Sequence, residues 1–263
     1  MPQLAANLMY LFTDRPLVER FAAARAQGFR LVECQFPYDE DATVLKQLLD
    51  ENGLAMALIN APCGYRSIGE RGLAALPDRE EEFRDSFLLA LAYAREMHCP
   101  RVHVMAGVVA DDQRDIAMAT YAENLRVAAK TAEAAGIGIV IEPLNGIDVP
   151  GYLLQYTTQA RAVLAMVGEE NIRLQYDAYH ALMNGEDPME GLRANADVIA
   201  HIQIAGYPGR GEPIAEGAYD MGAFIELCDT IGYQGAIGCE YTPANGTEAG
   251  LGWASRYGIG DRP

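Results

Sequence analysis

Four oxygen-bearing side chains stand at the ends of four successive apolar runs in this sequence. Glu142 follows IGIVI, Asp177 follows IRLQY, Gln203 follows IAHI and Glu240 follows GAIGC. An ionised carboxylate among core-seeking neighbours costs several kcal/mol unless a cation or hydrogen-bond donors compensate it. Three carboxylates brought within a few Å of each other would push their pKa values upward, and a divalent ion between them removes that conflict. All four donors are hard oxygens, which favours Mg²⁺ or Mn²⁺ over zinc. A lone acid at such a position is more often the N-cap of the next helix or half of a loop ion pair. Four on consecutive strands make a metal site the stronger reading, with Glu142, Asp177, Gln203 and Glu240 as its ligands.

Two more residues belong near this set. His180 lies three residues past Asp177 in QYDAYH, on the segment read as the loop leaving that strand. Arg210 lies seven residues past Gln203 in QIAGYPGR, on the next such loop. Taken alone, the first is a loop histidine with a backbone partner and the second a solvated cation. The chain carries a formal net charge of −17, however, so an anionic substrate needs local positive charge, which a metal and Arg210 would supply. His103 reads as an interior histidine of its strand. His201, one layer deeper than Gln203 on the same face, reads as packing or support, and His98 as a helix-end residue.

These side chains require a scaffold that brings strand ends together. Short apolar runs alternate with helical patterns eight times: QLAANLM, RLVECQF, LAMALIN, RVHVMAG, IGIVIEP, IRLQYDAY, IAHIQIAG and GAIGCEYT. Between them lie amphipathic stretches such as PLVERFAAARAQG and DATVLKQLLDENG, each closing on a glycine suited to a helix C-terminus. Strict alternation argues for a parallel sheet, and eight units argue for closure into a single (β/α)8 barrel over residues 1–263. An open doubly wound sheet is the competitor, but no GxGxxG follows the first strand and no linker divides the chain. The longest irregular segment, PCGYRSIGERGLAALPD at 62–78, has the length of a binding loop or lid.

Composition narrows the class. An acidic chain with a sequence pI near 4.6 repels phosphate backbones, which disfavours nucleic acid. Its five cysteines are odd in number and lack CxxC spacing, so reduced buried thiols are expected. No apolar run approaches the ~20 residues needed to span a membrane, and MPQLAANLMYLFTDRP lacks the features of a signal peptide. A cytoplasmic enzyme is the expectation.

The segments AANLMYLF, ERFAAARAQGF, VECQFPYD, GERGLAALPDREEEFRD, IEPLN with DVPGY, QYDAYH, HIQIAGYPGRGEP and GYQGAIGCEY carry a resemblance that runs from end to end. Together, and in their spacing, they resemble the hydroxypyruvate isomerase family of xylose-isomerase-like TIM barrels. VHVMAGV, HIQIAG and GLGW look like its 2-oxo-tetronate isomerase branch, whereas IEPLN followed by DVPGY looks like hydroxypyruvate isomerase proper. The resemblance implies one divalent metal on Glu142, Asp177, Gln203 and Glu240, with Glu142 and Glu240 doubling as the proton-transfer pair. It places His180 and Arg210 where related sugar isomerases and epimerases bind substrate, and Arg210 would pair with a substrate carboxylate. The implied reaction interconverts hydroxypyruvate and tartronate semialdehyde through an enediolate, by one-base or two-base proton transfer. A small hydroxy-oxo acid or sugar is then the partner, and a homo-oligomer is expected by analogy. The sequence departs from the family at IAEGAYD, residues 214–220, where the seventh loop would shape the pocket differently. A ketose 3-epimerase on the same scaffold, a multi-metal DNA-repair endonuclease and a sugar-binding barrel without catalysis are the competing readings.

Overall fold

The computed structural model describes residues 2–214 and 219–260. Four residues of IAEGAYD, 215–218, therefore lie outside the described residues, and with them the expectation attached to that segment. Eight parallel strands close in chain order: β1 Gln3–Asn7, β2 Leu31–Glu33, β3 Ala55–Asn60, β4 Arg101–His103, β5 Gly138–Ile141, β6 Ile172–Asp177, β7 Ile199–Ile204 and β8 Ala236–Cys239. Each pairs with the next, and β8 returns to β1. The strands are the cores of the runs read from sequence, and the doubly wound alternative is excluded.

Parallel neighbours require long crossovers, and helices fill them. They are α1 Leu17–Ala26, α2 Ala42–Asn52, α3 Glu80–Glu96, α4 Arg114–Glu133, α5 Thr157–Val167, α6 Ala178–Met183, α7 Pro188–Asn195, α8 Met221–Thr230 and α9 Thr247–Gly250. The expected glycine stop is seen at Gly53, whose left-handed φ of 58° ends α2. His98, just past α3, holds φ 52°, in keeping with a helix-end role. One local expectation fails: His180 is not on a loop. The chain leaves β6 directly into α6, because the Asp177 carboxylate accepts the Tyr179 N–H at 2.8 Å and caps the helix.

The two-residue period of a strand sorts the side chains. Leu4, Ala6, Val32, Val102, Ile139 and Ile237 join the main core between sheet and helices. Ala5, Ala57 and Ala236 form a separate small cluster with Leu31 inside the barrel. Helix α1 contributes Phe21 to the main core, fully buried, a burial worth about 1.5–3 kcal/mol. Above the alanine layer the barrel interior turns polar: Asn7, Glu33, His103, Gln175, His201 and Gln203 are all buried. Polar interiors cost stability unless their groups are paired, so this layer points to the mouth above it. All five cysteines are buried thiols, as expected. No helix among the described residues is long and apolar enough to cross a membrane.

Candidate active site

Register brings the four strand-end donors together. Asp177 pairs with Gln203 across β6 and β7, and Gln203 with Gly238 across β7 and β8, so Glu240 emerges one step beyond the sheet. Glu142 likewise follows the last residue of β5. All four are buried. The Gln203 side chain donates to Glu240 Oε2 at 2.6 Å, and Arg210 bridges Asp177 Oδ2 at 3.5 Å and Glu240 Oε1 at closer range. The rings of Tyr10 and Tyr179 flank the Arg210 guanidinium, 5.1 and 5.0 Å from its central carbon. Burial opposes the charge of Arg210, but Glu240 and Asp177 outweigh it and hold the pKa above its usual value.

Glu142 has a different environment. Its Oε1 is buried without a hydrogen-bond partner, and Oε2 faces His103 Nδ1 at 3.7 Å. Burial, then the charges of Glu240 and Asp177, push its carboxyl well above the ordinary range, the neighbouring Arg210 and the Gln175 amide offsetting only part of the rise. Burial also raises Asp177 against the pull of Arg210, and lifts Glu240 to about 8. His103 is depressed to about 3, by burial and then by His201, so it stands neutral beside Glu142.

Glu142, Asp177 and His180 each offer one atom within 4.8 Å of the others, and this cluster fits a metal ion. The hydrogen bonds of His180 assign it another part. Its Nδ1 receives the Asn145 backbone N–H at 3.2 Å and lies 2.7 Å from the Asn145 side-chain nitrogen. That amide is oriented by its oxygen, which accepts from the Ile147 and Asp148 backbones. Burial, then Arg210, keeps the ring neutral by lowering its pKa well below 6.5. The one ring hydrogen therefore sits on Nε2, 3.9 Å from Asp177 Oδ2 and beyond hydrogen-bond reach of it.

A second tier, missed in sequence, supports these groups from the early strands. Glu33 on β2 is fully buried and accepts from Asn7 at 3.2 Å and from Gln203 at 2.9 Å. His201 Nε2 meets its other oxygen at 2.5 Å. Asn7 also donates to Glu240 Oε2 at 3.2 Å, and Gln175 to the Gln203 oxygen at 2.6 Å. Gly238 makes room for this carboxylate: a Cβ there would lie 2.2 Å from Glu33 Oε1. The expected support role of His201 is thus seen, with Glu33 as the partner the sequence reading lacked. Glu33 ends its strand as Asp177 does, so the same rule applied to β2 finds it.

The cavity over this floor is about 180 Å³ and is walled in part by Tyr10, Asn60, Arg71, His103, Glu142, His180, Arg210 and Glu240. Two buried carboxylates, Asp177 and Glu240, share one bridging guanidinium, and the unpartnered Glu142 oxygen lies beside them. A hard-oxygen set of this charge suits a divalent cation. In the present conformation Gln203 turns its nitrogen to Glu240 and its oxygen to Gln175, so ligation through oxygen requires the amide to turn over.

The chain matches the sequence model of the xylose isomerase-like TIM barrel family over residues 21–257. It is 46% identical to a 2-oxo-tetronate isomerase of Cupriavidus necator, over 98% of this chain and 99% of the relative. It is 40% identical to the hydroxypyruvate isomerase of Escherichia coli, over 98% and 100%. A solved structure from Brucella melitensis, described as an AP endonuclease of family 2, superposes with a TM-score of 0.95 at 38% identity, covering 98% of this chain and 99% of that one.

Proposed function

We infer, because this chain belongs to the xylose isomerase-like TIM barrel family and is an isomerase, that it moves a carbonyl between C2 and C3 of a short 2-oxo acid. The substrates in the two relatives' names share that unit: a carboxylate at C1, a carbonyl at C2 and a hydroxyl on C3. They differ by one CH₂OH group on C3. The Cupriavidus relative favours a 2-oxo-tetronate, and the Escherichia relative supports hydroxypyruvate, giving tartronate semialdehyde, as the second reading.

The observation that carries the chemistry is the buried Glu142 oxygen with no partner, in a cavity shared with Glu240 and Arg210. A carboxylate with a raised pKa is a stronger base, and positioned proton transfer contributes roughly 10²–10⁴ in rate. Glu142 removes the proton from the hydroxyl-bearing C3, the electron pair moves to give an enediolate, the hydroxyl proton passes from the C3 oxygen to the C2 oxygen, and a proton returns to C2. Glu240 is the other member of the pair. Its two oxygens are already engaged by Arg210, Asn7 and Gln203, so Glu142 is the freer acceptor of the first proton. His180 offers its Nε2 hydrogen to a substrate oxygen, and Arg210 holds Glu240 and borders the substrate. Glu142, Asp177, Gln203 and Glu240 would hold Mg²⁺ or Mn²⁺, which supplies Lewis-acid polarisation of the carbonyl. The net charge of −17 argues against a nuclease that must approach phosphates.

Proton NMR in D₂O tests this with hydroxypyruvate, a 2-oxo-tetronate and C5–C6 ketoses. The short acids should isomerise with deuterium uptake at C2 or C3, lose turnover in EDTA and regain it with Mn²⁺ or Mg²⁺. Epimerisation of the ketoses with no reaction of the acids would replace this reading with a sugar 3-epimerase.

A further inference from the structure

Arg210 is the expected reader of a substrate carboxylate, but its charge is already committed. It is paired with Asp177 and Glu240 and donates to the Glu240 backbone carbonyl at 3.2 Å. Three site carboxylates set against a dication and one guanidinium leave no surplus positive charge. An anionic substrate therefore needs another cation, and one residue of the cavity wall supplies it. Arg71, in the long segment after β3, lines the same cavity. Its one hydrogen bond among the described residues goes to the Glu70 carbonyl at 3.0 Å, and it makes no ion pair there.

The segment that carries Arg71 is anchored on both sides. Glu70 accepts the Tyr65 N–H at 2.6 Å and is paired with Arg79, which also grips Glu82 in the first turn of α3 at 2.7 Å. On the other side, Gly72 bridges Ala106 at the exit of β4, and Ala75 donates to the Ala106 carbonyl at 2.8 Å. Gly72 holds φ 128°, and a Cβ there would lie 2.4 Å from the Met105 carbonyl oxygen, so only glycine permits the approach. A guanidinium held on such a platform, with most of its donors unspent, matches the geometry of a carboxylate.

We propose that Arg71 is the specificity-determining residue that recognises the substrate's carboxylate, while Arg210 orders the acids of the site. This rests on the reading of the cavity as an isomerase site for short oxo acids. The first measurement is calorimetric binding of D-glycerate, a non-reacting carboxylate, to the wild type and to R71M and R71K in the presence of Mn²⁺. R71M should weaken binding about 10- to 150-fold, the span of a lost charge-assisted contact, and R71K should recover part of it. The second is kcat/KM on hydroxypyruvate against dihydroxyacetone, its neutral counterpart with CH₂OH in place of the carboxylate. R71M should lower the ratio of the two by a similar factor, through KM. Equal losses on both substrates, unchanged glycerate binding in R71M, or a wild type that binds no glycerate would each overturn the assignment of Arg71. Failure of the wild type to isomerise any oxo acid while glycerate binding still depends on Arg71 would instead sink the reaction and spare the recognition.

Discussion

The two halves of the barrel mouth contribute in different ways. Strands β5 to β8 deliver the oxygen-bearing side chains Glu142, Asp177, Gln203 and Glu240 to the cavity floor. Strands β1 to β4 deliver the groups that hold them: Asn7, Glu33 and His103 lie within or under the floor, and the segment after β3 adds Arg71 to the wall. Glu33 accepts from Gln203 and His201 of the late half, and Asn7 donates to Glu240 in return. The lesson is that the carboxylate with an open oxygen sits in the late half, and the carboxylate with both oxygens bonded by side chains of both halves sits in the early half. Glu142 Oε1 has none, while both oxygens of Glu33 are hydrogen-bonded.

The largest expected effect falls on the late half. E142Q and E240Q should each cut turnover on the preferred oxo acid by roughly 10²–10⁴ with the far-UV circular dichroism unchanged. If Glu142 is the freer base, E142Q should also suppress deuterium exchange at C3 more than E240Q does. Near-normal activity in either variant would remove that residue from proton transfer and dissolve the contrast drawn here.

A middle-sized effect is expected from the early half. E33Q keeps the size of the side chain but replaces one hydrogen-bond acceptor with a donor, against three donors that need acceptors. Loss of such an orienting partner typically costs 10–100-fold in metal affinity or activity, so Mn²⁺ binding and kcat should both fall within about that range. G238A probes the same contact sterically, because its Cβ would intrude on the Glu33 carboxylate. Overpacking of this kind costs about 1–3 kcal/mol, readable as a lower urea midpoint. Wild-type Mn²⁺ affinity and kcat in E33Q would make the lower tier mere packing.

The two halves were also unequally legible in sequence. Glu142, Asp177 and Glu240 announce themselves because an acid ends an apolar run, and strand ends converge in a closed barrel. Glu33 obeys the same rule, but an apolar residue still follows within RLVECQF, as Leu8 and Met9 follow Asn7 in QLAANLM, and this blurs the strand end. The helix that carries His180 is hard to read because nothing in DAYHALM marks it apart from the Asp177 cap, which serves the site as well. Arg71 lay beyond reach for a physical reason. Its position depends on Gly72 meeting the backbone of Met105 and Ala106, a tertiary contact that no periodicity encodes.

The smallest effect separates the halves by pH. In the folded, metal-free protein burial lifts Glu240 to about 8 from its ordinary value near 4.5. Between those values the native state keeps a proton that the unfolded chain has released, so unfolding free energy falls as pH rises. That contribution is fully present below about pH 4.5 and gone above about pH 8. Asp177 and Glu142 are shifted in the same direction and reinforce the slope. Urea midpoints in EDTA at pH 5, 6.5 and 8 should therefore decline, and E240Q should make the decline shallower. Mn²⁺ should stabilise more at pH 8 than at pH 5, because its ligands bind it deprotonated. A stability that is flat or rises across that window would mean that the late-half acids are already compensated by the early-half donors, and the division of labour between the two would fall.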